Sequence, residues 1–427
     1  MKTLKISSFI IFLLSIIVIT YAQAPDTMWT KTFGGTGNGH GFSIQETDDG
    51  GFIVTGLLQT TGSNWPDVWL LKTDAAGDTV WTKTFGGIDF DCGYSVTQTL
   101  DGGYVLAGET FDIAGRKVLL IKTNSIGNTL WTKTYGDGQE CGNSVQQTFD
   151  GGFIIGGYTA ILGSYSDVWL LKTDSNGDTL WTKTYGGDGA EWGNSVYQTS
   201  DSGYIIIGLI DSTNMNMWIV KTDSNGDTVW TKSYGGFSSE EGFCIKETMD
   251  NGYIIVGRTR SFGNPNSDKL WLIKTNSLGD TLWTRVYGIE GIGRNSLGFS
   301  VNLTNDGGFI ITGYTRFVIG DYDLWILKTD TMGDTLWTKT MGGMEYDDGR
   351  DVKQCNDNGY IITGCTSAKL WIVKLKPDSP NVIIDYDDII SSKFLLDQNY
   401  PNPFNPSTKI KYSIPYSSKT LIVTFDE

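Results

Sequence analysis

The sequence predicts an all-β protein: a seven-bladed β-propeller of four-stranded antiparallel blades, closed by its own N-terminal strand and followed by a short C-terminal β tail. Three observations predict it. First, a Trp-Thr-Lys/Arg strand recurs at Trp29, Trp81, Trp131, Trp181, Trp230, Trp283 and Trp337, at spacings of 49 to 54 residues. A period of that size holding only strand signals points to a propeller or array. Second, each repeat contains a run without polar alternation, such as Tyr204–Ile207 or Tyr253–Val256, which asks for burial on both faces. Blades stacked face to face meet that need, whereas a two-layer sandwich leaves one face wet. Third, the two ends of the array are complementary. Asp26–Gly35 is a lone fourth strand, and Arg350–Leu375 supplies three strands without a fourth. Together they make one blade whose edge is hidden, where an open solenoid would carry atypical capping repeats.

The elements of a repeat follow in order. The first strand is short and built of small residues, as in Gly142–Thr148, and a turn such as Asp101-Gly102-Gly103 follows it. The second strand is the apolar run. The third carries Trp69, Trp169, Trp218, Trp271, Trp325 and Trp371, with Leu119 in the remaining copy. Small residues inside and large ones outside give the taper of a wedge. Third and fourth strands form a hairpin, clearest in Ser166–Gly187, whose turn ends in a glycine suited to positive φ. The Asp-x-x-Gly-Asp turns (Asp74–Asp78, Asp174–Asp178, Asp223–Asp227, Asp330–Asp334) carry no bidentate Glu at calcium-loop spacing. They read as hairpin turns whose Asp side chains bond local amides. The lysines of Trp-Leu-Leu-Lys and Trp-Thr-Lys are expected to lay their stems on aromatic surface with the amine in water.

The N-terminus reads as a secretory signal peptide over 1–22: basic Met1–Lys5, apolar Ile6–Thr20, and cleavage after Ala22. The apolar run is too short to span a membrane, and nothing later resembles a membrane span. The formal charge is −16, and losing Lys2 and Lys5 with the signal makes it −18. Such a chain repels nucleic acid and anionic membrane, so neither is an expected partner. The five cysteines form no Cys-x-x-Cys pair and do not read as a disulfide scaffold.

The propeller is expected over 26–376 and an acidic, proline-containing linker over 377–393. Beyond it, Phe394–Pro415 reads FLLDQNYPNPFNPSTKIKYSIP. The run Tyr400-Pro401-Asn402-Pro403-Phe404-Asn405-Pro406 resembles the first strand of the C-terminal sorting domain of type IX secretion, an outer-membrane export route of some Gram-negative bacteria. The resemblance implies a secreted or cell-surface protein that meets the type IX machinery through this tail. The family continues for several more strands, so 394–427 is expected to be a partial domain, and the protein stays periplasmic if that tail does not function. The repeats, over Asp26–Leu375, resemble the β-propeller repeats of large secreted proteins of such bacteria, which implies a scaffold and no particular activity.

Catalytic signals are weak. His40 is the only histidine, no Gly-x-Ser-x-Gly is present, and no His/Cys cluster suits zinc. What varies between copies is one loop face. Loops entering each first strand bring His40, Asp89, Asp91, Glu140, Asp188, Glu191, Trp192, Glu240, Glu241, Glu345, Asp347 and Asp348. The position just before the first-strand glycine reads His40, Cys92, Cys141, Trp192, Glu241, Leu297 and Asp348 round the ring. Loops between second and third strands add Trp65, Phe111, Tyr165, Arg258, Arg260, Phe317 and Tyr322. Acids and aromatics in a ring suit a carbohydrate, a protein segment or a cation such as calcium. No other cofactor is expected. The favoured reading is a non-catalytic binding scaffold. The alternative is a glycoside hydrolase or polysaccharide lyase that uses paired carboxylates of these loops.

Overall fold

The computed structural model describes residues 23–378, apart from 114, 161–163, 212–213, 264–265, 290, 292 and 319, together with 395–396 and 412–413. The signal-peptide expectation, and nearly all of the linker and sorting-domain expectations, fall outside the described residues, as does the Phe317 side chain. The chain divides into two units, Met1–Asp378 and Ser379–Glu427. In the second, Leu395–Leu396 pairs antiparallel with Tyr412–Ser413.

The first unit is the expected propeller. Asn38–Glu46, Phe52–Gln59, Asp67–Thr73 and Thr79–Phe85 form the first blade in that strand order. Five blades repeat it over residues 91–135, 141–185, 191–234, 240–287 and 296–341. The seventh comprises Asp347–Gln354, Tyr360–Thr366 and Lys369–Leu375, and Thr27–Phe33 completes it, with Thr32 opposite Trp371. Closure by the N-terminal strand is therefore as the two incomplete ends demand.

The second and third strands are the driest, and seven apolar clusters each fill one junction between neighbouring blades. Ile361 and Leu370 of the seventh blade, for example, pack with Val54 and Trp69 of the first. The hairpin turns hold as read: Gly177 takes φ +79°, and Asp174 Oδ1 accepts the amides of Asn176 and Asp178 at 2.9 and 2.8 Å.

The third-strand lysines differ from expectation. Lys72 of the third strand is buried, and its ammonium donates to Asp49 Oδ1 and to the Thr73 carbonyl, both at 2.9 Å. Lys122, Lys172, Lys221, Lys274, Lys328 and Lys374 make the same contact with Asp101, Asp150, Asp201, Asp250, Asp306 and Asp357. Partial burial opposes ionisation of Asp49, but hydrogen bonds from Thr47 and Lys72 hold it down at about 2. A buried amine requires such a partner, so each lysine clips the first turn of its blade to the third strand. The fourth-strand lysines reach outward to the neighbouring blade, as Lys133 Nζ does to Asp178 Oδ1 at 2.9 Å.

A further set of clasps runs round the ring. The carbonyl oxygen of Gln98 accepts the Asp48 amide of the preceding blade at 2.9 Å, and Gln147, Gln198, Glu247, Gln354 and Glu46 repeat the contact. Leu303 stands at this position in the sixth blade and provides no acceptor.

Candidate functional site

Every first strand carries a bulge, and a glycine opposite makes room for it. Opposite the bulge each second strand has Gly56, Gly108, Gly157, Gly208, Gly257, Gly313 or Gly364, where a Cβ would sit 1.6 to 2.0 Å from a first-strand carbonyl oxygen. The bulge adds one residue and re-aims it. It inserts Phe42, Tyr94, Asn143, Asn194, Phe243, Phe299 and Arg350, which line an axial channel of about 340 Å³ together with residues from the first strands of all seven blades. Beside them come Ser43, Ser95, Ser144, Ser195, Cys244, Ser300 and Asp351. These bind adjacent strands together: Ser43 Oγ accepts the Val96 amide at 3.3 Å, and Ser95 Oγ that of Val145 at 3.1 Å.

The candidate acids divide into two groups. Asp91, Glu140, Glu191, Glu240 and Asp347 are buried, and each accepts a backbone amide of the loop that precedes it: Gly87, Gly138, Gly187, Gly236 and Gly343, at 2.7 to 3.3 Å. They hold the loops in shape. At three junctions a third-strand aspartate lies close by, giving the pairs Asp67/Asp91, Asp167/Glu191 and Asp323/Asp347. A Cβ on Gly86, Gly186 or Gly342 would lie 2.0 to 2.6 Å from an oxygen of each partner. Burial first, and then the Asp91 charge, raises Asp67; burial, then Asp321 and after it Asp347, raises Asp323; burial and Asp167 likewise raise Glu191 against the Gly187 amide. Oδ1 of Asp91 and Oδ1 of Asp347 have no hydrogen-bond partner. Asp89, Asp188 and Glu345 remain at least partly open to solvent.

The position before the first-strand glycine is not one ring of ligands. Cys92, Cys141 and Leu297 are core residues, and all five cysteines are free and buried. Trp192 is 43% exposed and donates Nε1–H to Ser166 Oγ at 2.5 Å. Glu241 accepts from Arg258 Nε at 3.1 Å, while Arg258 and Arg260 both donate to Asp268. Asp348 is fully buried. Arg350 Nε donates to its Oδ2 at 2.6 Å, and His40 Nε2 lies 3.2 Å from Oδ1. Burial alone would raise the Asp348 carboxyl, but Arg350 and then His40 hold it below the usual range. This charge network joins the seventh blade to the first.

The open aromatic surface lies between the first and second blades. Trp65, Asp89, Phe90, Glu109, Phe111 and Arg116 enclose a pocket of about 320 Å³. Phe90 and Phe111 meet edge to face at 5.9 Å, and the Arg116 guanidinium lies 5.2 Å from the Phe111 ring centre. Arg116 Nε is 3.2 Å from Glu109 Oε2, and Tyr94 donates to Glu109 Oε1 at 2.6 Å. Trp65, Asp89 and Phe111 were legible as loop-face variants. Phe90, Glu109, Arg116 and the bulge residues were missed. Comparing the repeats with one another carries a signal for the latter, because the residue after the first-strand glycine varies among Asn, Tyr, Phe and Arg, while the next is Ser in five of the seven copies and the one after it always Val or Ile.

Among the described residues, no group of three or more His, Cys, Asp or Glu side chains is arranged to hold a metal ion. No family model matches the chain, and no curated protein matches it in sequence. Among solved structures it is similar to a protein of unknown function from Bacteroides caccae, at 13% identity over 69% of this chain and 97% of that one, with a TM-score of 0.42. It is also similar to Sqt1 from Chaetomium thermophilum, at 11% identity over 80% of this chain and 82% of that one, with a TM-score of 0.46. Sqt1 bound to the N-terminus of ribosomal protein L10 gives 12% identity, 80% and 85% coverage, and a TM-score of 0.46. Likenesses this distant carry no information on ligand or partner.

Proposed function

We propose that the protein is a non-catalytic binding scaffold that holds a carbohydrate or protein ligand on the loop face of the propeller. The observation that supports this most is the pocket of Trp65, Phe90 and Phe111 beside the Glu109–Arg116 ion pair. Flat aromatic faces beside fixed polar groups grip a sugar ring or a protein side chain by stacking and directional hydrogen bonds. The loop acids speak against the hydrolase or lyase alternative, since they are buried and one oxygen of each already serves the loop backbone. Calcium, the cation those loops would take, would act by relieving repulsion within pairs such as Asp67/Asp91.

The test is a glycan and peptide array followed by calorimetry on each hit. Trp65→Ala and Phe111→Ala are each expected to weaken a hit by about fivefold or more, the usual effect of truncating an aromatic anchor. Hits unmoved by both variants, or no hit at all, overturn the reading.

The proposed location is outside the inner membrane, with export by type IX secretion. Its support is the tail Tyr400-Pro401-Asn402-Pro403-Phe404-Asn405-Pro406 and the secretory character of Met1–Ala22. Fusing Phe394–Glu427 to a periplasmic reporter in a type IX-competent host should release the reporter to the surface or medium. Retention in the periplasm, where a complete sorting domain succeeds, would place the protein there instead.

A further inference from the structure

Lys246 stands apart from the other buried or channel-facing lysines of this propeller. Each third-strand lysine has its own turn aspartate, and in the channel Arg350 has Asp348 while Lys353 Nζ donates to Asp351 Oδ1 at 2.9 Å. Asp351 has nothing further to offer. It also accepts from Ser300 Oγ at 2.8 Å, from the Ile44 amide at 3.1 Å and from Ser43 Oγ at 3.4 Å. Lys246 lines the same channel, and no carboxylate lies within ion-pairing distance of it among the described residues. Its ammonium has only the face of Tyr197, 5.2 Å from the ring centre. Burial pushes its pKa down, the positive charge of Lys353 pushes the same way, and Asp351 only partly opposes them.

The fold does not require a cation here. The equivalent first-strand positions in the first three blades are Gln45, Thr97 and Gln146, all neutral. Lys246 therefore places a positive charge without its own carboxylate beside the Lys353–Asp351 pair, in the axial channel of a protein whose formal charge is −16. An ammonium group that lacks a carboxylate partner in a semi-enclosed space is stabilised by an anion beside it.

The geometry points to an anion site in the axial channel: a carboxylate carried by a ligand, held by the Lys246 ammonium with Lys353 as the second donor. A uronic acid and an acidic amino-acid side chain present the same group, and the channel volume suits either. The site is distinct from the loop pocket between the first and second blades.

The experiment is calorimetry on the mature protein with two matched probe pairs, glucuronate against glucose and N-acetyl-aspartate α-amide against N-acetyl-asparagine α-amide, at fixed ionic strength. One charged probe should bind at least tenfold more tightly than its neutral isostere, the margin expected for a charge-assisted hydrogen bond. The pair that shows it names the source of the carboxylate. Lys246→Gln, which installs the side chain found at Gln45 and Gln146, should remove that margin and leave array hits at Trp65 and Phe111 untouched. In the unmutated protein, the Lys246 ammonium should titrate at higher pH once the charged probe is bound. Equal binding of charged and neutral probes overturns the site, as does an unmoved Lys246 titration or a Lys246→Gln variant that keeps the margin. None of these outcomes bears on the loop pocket, whose own failure would appear only in the Trp65 and Phe111 variants.

Discussion

Removing residues 23–35 is expected to abolish the native state rather than lower its melting temperature by a few degrees. Thr27–Phe33 is the outer strand of the seventh blade, and its loss bares the Lys369–Leu375 edge along the buried Leu370, Trp371, Ile372 and Val373. Trp371 loses the hydroxyl of Thr30, which accepts its Nε1–H at 2.5 Å, and the Lys376 amide loses the Asp26 carbonyl at 3.0 Å. The same strand also serves the first blade. Trp29 lies over Gly77 and 5.9 Å from the Phe52 ring, and Lys31 pairs with Asp78. One deletion therefore opens a sheet edge and strips a blade junction. Exposing several large apolar side chains at about 1.5–3 kcal/mol each is comparable to the whole stability of a typical domain, about 5–15 kcal/mol. Equilibrium denaturation and size-exclusion chromatography check the result. The deletion variant should aggregate or lack a cooperative transition, and a peptide spanning Asp26–Gly35, added in trans, should restore it. A monomer with an unchanged melting curve would refute closure as the source of stability.

The architecture was legible because the repeat states it several times over. The Trp-Thr-Lys strand, the unbroken apolar second strand and the complementary ends each required the same ring, and local and global signals agreed. The site was less legible because sequence gives residue type and not partner. An acid at the start of a first strand looks like a ligand whether it faces solvent, as Asp188 and Glu345 do, or caps a loop amide, as Asp91 and Asp347 do. Lys72 and Lys83 likewise share a chemistry and differ only in surroundings. One is buried on Asp49, and the other reaches Asn128 of the next blade at 3.4 Å. The bulge was invisible for a different reason. Counting residues at period 2 leaves Phe42 and Arg350 on the wrong face unless an extra residue is known to intervene.

That extra residue underlies the second large effect, Gly208→Ala. Gly208 lies opposite Gly193, and an added Cβ would sit 1.6 Å from the Trp192 carbonyl oxygen and 2.7 Å from its carbon. Both are backbone atoms, so no side-chain rotation relieves the clash. The strands must separate, or the bulge must be lost. Separation weakens the ladder between the first and second strands, on which Ile206 and Ile207 depend for their burial. Losing the bulge slips the register by one residue and turns Asn194 out of the channel and Val196 away from the core. Either route should cost about 3 kcal/mol or more, at or beyond the upper range for inserting a methyl group into a packed site. Gly187→Ala is the control, because that Cβ meets nothing within 4 Å and φ there is not positive. It should stay within about 0.5 kcal/mol of the parent. Urea denaturation of the two variants separates these cases. If Gly208→Ala unfolds at the same midpoint as Gly187→Ala, the glycines opposite the bulges are not what shapes the channel.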